Sequence, residues 1–217
     1  MQANFSKEKD FFTIRTEWLK FKASLFDHNT GLPVLPLVLE EIRRLLEDRG
    51  QIGLIYLSFS KDGCIEAIYG WDVYDQAIRE FARAIEQLKR KIFASEDILV
   101  ILNVRGDEIL LFISSTNTGD TVTEAYLEGL AEEIEIHLKS SMFSLYPEKI
   151  PQKIAIHRGV ALIVRDPMIR MERCIYQGIE ETKRIALYQI ERREMKLLSF
   201  INPLFILTLL IFLGTKL

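Results

Sequence analysis

The chain has 217 residues, 48% hydrophobic and 27% charged, which suits one globular domain with material to spare. Against 31 Asp and Glu stand 28 Lys and Arg, a formal net charge of −3, so no basic field exists to hold a nucleic-acid backbone and nucleic acid is excluded as a partner. The two cysteines, Cys64 and Cys174, lack a second Cys or a His at ligand spacing, which reads as reduced packing residues and not as a zinc site or a disulfide.

In chain order, residues 6 to 26 carry Phe11, Ile14, Trp18, Phe21 and Leu25 at spacings of three and four, the stripe of an amphipathic lead helix. DHNTGLP (27 to 33) ends it with turn chemistry, and Pro33 is placed to open a helix to about Asp48, with Leu37, Ile42, Leu45 and Leu46 inward and Gly50 as its stop. IGLIYLSF (52 to 59) has the composition of a buried central strand. A helix from about 72 to 93 follows, with Ile78, Phe81, Ile85 and Leu88 inward. Two strands, about 98 to 104 and 108 to 114, lie so close that Arg105-Gly106-Asp107 forms a hairpin tip. A helix from about 120 to 140, strand material at 151 to 164 and a last helix from about Pro167 complete the order. Interleaved helices and strands with one hairpin predict an α/β (α+β) fold, a mixed central sheet flanked by helices.

The tail differs. LLSFINPLFILTLLIFL (197 to 213) has no charged residue, and Arg184, Arg192, Arg193 and Lys196 precede it. That pattern predicts an apolar C-terminal helix over 197 to 217 anchoring the chain to a membrane, with everything upstream on the cytoplasmic face. A terminal helix buried in an oligomer interface or in a partner protein is the competing expectation, since Asn202 and Pro203 shorten the usable span. The N-terminus has no apolar core of a secretory signal, in keeping with a cytoplasmic domain.

Four pieces in order resemble the GGDEF domain of diguanylate cyclases: DHNTGLP for the family's DxLTGLPN, YGWDVYD (69 to 75) for YGHxxGD, RGDEI (105 to 109) for GGDEF itself, and MERCIYQGIEETKR (171 to 184) for the late ADxALYxAKxxGRN helix. The resemblance divides the chain into a lead helix (1 to 26), a GGDEF-like domain (27 to 190) and the tail. It implies joining of two GTP molecules into cyclic di-GMP, with Mg²⁺ held by carboxylates. On that resemblance Asp107 takes the metal-ligand position, Glu108 the neighbouring catalytic acid, and Asp75 and Lys183 nucleotide-binding positions.

Other family positions are changed. Ser58 falls where the first strand supplies a metal-binding Asp, Glu66 where an Asn reads the guanine, Arg105 on the first glycine of the signature and Ile179 on a phosphate-binding cation. A hydroxyl cannot replace a carboxylate's charge on a bare divalent ion. No RxxD precedes the hairpin, so the family's inhibitory product site is not expected. The expectation is therefore a catalytically inactive, membrane-tethered GGDEF-like module with no resident cofactor, partnered by another protein or by a second copy through Trp18 and Phe21. Its rival is a cyclase, or a GTP- or cyclic di-GMP-binding protein, with residual activity that would need Mg²⁺.

Overall fold

A computed structural model describes residues 13–21, 25–59, 70–102, 106–116, 118–145 and 156–188. The elements in chain order are α1 (13–21), α2 (Leu35–Arg49), β1 (Gln51–Phe59), α3 (Trp71–Ile92), β2 (Ile98–Ile101), β3 (Glu108–Ile113), α4 (Glu124–Leu145), β4 (Ile156–Val164) and α5 (171–188). Every expected element is present where residues are described. The apolar tail, Glu66, Arg105 and Cys64 lie outside them, and among the described residues no helix is long and apolar enough to cross a membrane.

The four strands form one sheet in the order β2-β3-β1-β4. All three pairings are antiparallel, where the sequence suggested a mixed sheet. The reason is topological. Helix α3 carries the chain from β1 to a parallel β2, and α4 from β3 to a parallel β4, but each crossover leaves room for a strand of the other unit, so no parallel pair is adjacent.

Strand β1 is central and buried on both faces, which explains its nearly unbroken apolar run. Alternation sends Ile55, Leu57 and Phe59 against Phe81 and Ile85 of α3 and Leu127 and Ile134 of α4. Ile52, Leu54 and Tyr56 face Ile42 and Leu46 of α2 and Ile175 and Ile179 of α5. Two glycines let α5 lie close to β4: a Cβ on Gly159 would stand 2.0 Å from the Thr182 carbonyl oxygen, and one on Gly178 would stand 2.5 Å from the Ile163 side chain.

Helix α2 departs from expectation at its start. Pro36, not Pro33, occupies the first turn. Pro33 is held outside it by a bridge to Phe26, and its carbonyl accepts from Ile101 N–H at 2.9 Å. The shift rotates Leu37 outward to 38% exposure, and Leu35 takes its place in the core. Gly50 does end α2, with φ 74° and its N–H donating to the Leu46 carbonyl at 3.0 Å.

Candidate functional site

The site lies at the end of β1 where β3 begins. Ser58 is paired in register with Glu108 on β3 and with His157 on β4. Residues directly opposite share a face, so Glu108, Ser58 and His157 make a polar row across the α5 side of the sheet. All three are buried. The Ser58 hydroxyl finds no well-formed hydrogen bond.

Asp107 and Glu108 are consecutive, and strand geometry therefore sends their carboxylates to opposite faces. Each is only 8% exposed. On the α5 face Glu108 accepts a hydrogen bond from the Tyr56 hydroxyl at 2.8 Å and faces Lys183 Nζ of α5 at 3.3 Å. On the other face Asp107 accepts from the Tyr74 hydroxyl of α3 at 2.8 Å, and its main-chain carbonyl accepts from Phe59 N–H at 2.8 Å. Both acids are thus buried beside the hairpin, and each is held by a different helix.

Burial, and after it the hydrogen bond to Glu108, pushes the Tyr56 phenol far above the ordinary tyrosine range, an effect that nearby Ser58 partly offsets. Tyr56 consequently stays a donor towards Glu108 at any ordinary pH. Tyr74 keeps its place through its ring, 6.4 Å from that of Phe59 and edge-on to Trp71 at 6.3 Å.

The DHNTGLP loop docks beside this site. Asp27 accepts from Asn29 N–H, Thr30 N–H and the Thr30 hydroxyl, an Asx-turn that fixes the loop. The Asn29 amide donates to the Asp75 main-chain carbonyl at 3.1 Å. Gly106, at φ 74°, packs next to it, since a Cβ there would lie 3.4 Å from Asp27 Oδ2 and 3.2 Å from the Ile78 side chain. Three motifs far apart in the chain therefore meet: the loop, the start of α3 and the hairpin.

Of the expected site residues, Asp107, Glu108 and Lys183 come together around the end of β1. Asp75 sits on the exposed side of α3. Ile179 is fully buried in the α2–α5 core, a packing residue. Neither Tyr56 nor Tyr74 is expected as a site residue from the sequence; Tyr74, in YGWDVYD, reads there only as a core or boundary aromatic. The signal for Tyr56 was there: a phenol within an otherwise apolar buried strand must find a polar partner.

The resemblance implies Mg²⁺, and the donors can be tested for fit. Among the described residues no three His, Cys, Asp or Glu side chains stand together as a metal site. Ser58 supplies a neutral hydroxyl, Asp107 and Glu108 diverge, and Glu108 already has a cation in Lys183. This donor set does not fit a pair of divalent ions.

No family model matches the chain, and no curated protein matches it. Solved structures do. The diguanylate cyclase SiaD of Pseudomonas aeruginosa, in complex with its activator SiaC, superposes with a TM-score of 0.56 at 19% identity, covering 88% of this chain and 67% of that one. A sensory box/GGDEF family protein from Caulobacter crescentus gives 0.53 at 16% identity, over 74% of this chain and 97% of that one. The GGDEF domain of DgcB from Caulobacter crescentus, in complex with c-di-GMP, gives 0.51 at 16% identity, over 78% and 91% of the two chains. The fold is that of the GGDEF domain.

Proposed function

We propose that this GGDEF-fold chain works through protein contacts in cyclic di-GMP signalling and does not synthesise the dinucleotide. One observation carries the reading. At the register position where the fold would need a second acid beside the hairpin, Ser58 stands opposite Glu108, and Glu108 is neutralised by Lys183 from within the same chain. A carboxylate bound to an internal lysine and a phenol is poorly placed to take a proton from a substrate hydroxyl. Lys183, expected at a phosphate, is spent on that pair.

A protein partner suits the surface. Ile14, Trp18 and Phe21 expose apolar area on α1, Trp18 at 57% and Phe21 at 61%, and such area favours a helix from a second copy or from another protein. SiaD, of like fold, is itself seen with an activator protein bound. Residues 197 to 217 would tether the module to the cytoplasmic face of a membrane.

The deciding experiment is incubation of the purified chain with GTP and Mg²⁺ or Mn²⁺, followed by chromatography for cyclic di-GMP. The expected outcome is no product. Product formation that Asp107→Ala abolishes would establish the cyclase reading instead. Calorimetric titration with GTP and cyclic di-GMP separates a silent domain from one that binds nucleotide without turnover.

A further inference from the structure

On the edge of the molecule remote from the hairpin, a groove of about 800 Å³ opens between α2 and the β4–α5 connection, and four arginines line it: Arg43, Arg165, Arg170 and Arg173. Such a volume suits a small-molecule ligand. Only Asp166 and Glu172 oppose them among the lining side chains, so the groove is locally cationic on a chain of net negative charge.

The four cations are not equally committed. Arg43 is tied to Glu40 at 2.7 Å and to Glu172 at 3.2 Å, which also removes the Glu172 charge from competition. Among the described residues Arg165 pairs with Glu47 alone, at 3.7 Å and well exposed. Arg170 and Arg173 make no side-chain hydrogen bond or ion pair among the described residues. Asp166 is turned towards its own loop, accepting from Met168 N–H at 2.8 Å. Tyr176, one turn beyond Arg173 on α5, adds an exposed ring to the wall.

We infer that this groove binds a phosphate-bearing anion, gripped by Arg165, Arg170 and Arg173, with the Arg43–Glu172 pair holding its floor in shape. Guanidinium forks match phosphate oxygens two at a time, and three of them on a concave wall serve a di- or triphosphate better than a single carboxylate. The phosphate could arrive on a soluble molecule or on a lipid headgroup. The loop tip beside the groove carries Met168, 92% exposed, which would enter an interface if the source were a membrane.

The test uses the full chain and two probes, inorganic tripolyphosphate by calorimetry and phosphatidylcholine vesicles with or without phosphatidylinositol phosphate by co-sedimentation. Arg170→Gln with Arg173→Gln removes the uncommitted pair, and Arg79→Gln with Arg90→Gln on the opposite helix layer removes the same charge elsewhere. The expected result is saturable tripolyphosphate binding that the first variant weakens at least about tenfold and the second leaves unchanged. If tripolyphosphate fails but phosphoinositide vesicles bind over neutral ones with the same dependence on Arg170 and Arg173, the site stands and its source is the lipid. Equal losses in both variants, or no binding to either probe, overturn the inference.

Discussion

Lys183 Nζ of α5 stands 3.3 Å from Oε2 of Glu108 at the start of β3, and the Tyr56 hydroxyl of β1 donates to the other carboxylate oxygen. Three elements are thereby joined through one acid. Removing the lysine takes a facing cation away from a largely buried carboxylate. Lys183→Met is expected to cost about 1–3 kcal/mol in chemical denaturation, short of a fully buried pair because Lys183 keeps some water contact. Adding Glu108→Gln should return part of that loss, since the amide still accepts from Tyr56 without a charge to compensate. An unchanged stability in Lys183→Met would mean that the pair contributes nothing.

Introducing an acid at position 58 makes the opposite test. Ser58→Asp would place a second carboxylate directly across from Glu108 in a buried row, and like charges facing each other across a strand pair repel. A loss of about 3 kcal/mol or more is expected without divalent cations. Thermal melts with and without Mn²⁺ read the site's geometry: full rescue by the ion would show that a metal centre survives there.

Among the described glycines Gly159 has the closest approach to a neighbouring element. Its missing Cβ would sit 2.0 Å from the Thr182 carbonyl oxygen, a backbone atom of α5 that cannot rotate away. Gly159→Ala should therefore lift α5 from β4, costing about 3 kcal/mol or more and loosening the Lys183–Glu108 contact with it. Gly129 has open space around it, so Gly129→Ala on α4 is the stable control.

Acid stability should depend on Glu135. Burial works to raise its pKa, but Lys139 and Arg158 outweigh burial and hold it below the usual 4.5. A carboxylate whose folded pKa is depressed contributes stability above its unfolded pKa and loses it as pH falls through the folded value. The stability difference between the native chain and Glu135→Gln should thus be full at neutral pH and shrink as the pH drops below about 4.5. A difference independent of pH in urea titrations would show that the Arg158–Glu135 pair, 2.8 Å apart, is not the source.

The exposed side of α1 sets the expectation for assembly. If Trp18 and Phe21 mediate self-association, sedimentation of the full chain in mild detergent should show a dimer that Trp18→Ala with Phe21→Ala converts to monomer. Truncating both aromatics removes apolar area worth roughly 3–5 kcal/mol at a well-packed contact. A native chain that is already monomeric would leave α1 for a different protein.

The order of elements, the hairpin and the inward faces of α3 and β1 were legible in the sequence, because periodicity of two or of three to four residues is a local property and burial follows from it. That position 58 carries a neutral hydroxyl is likewise plain from the sequence, while its place opposite Glu108 came only with the strand register. The start of α2 was not, because a bridge from Phe26 to Pro33 moved the first turn to Leu35 and Pro36. Nor could any local pattern tell that two neighbouring acids part company, Asp107 to Tyr74 of α3 and Glu108 to Tyr56 and Lys183. Those partners come from elements distant in the chain, and only the packing of α3 and α5 on opposite faces of one sheet brings them within hydrogen-bonding reach.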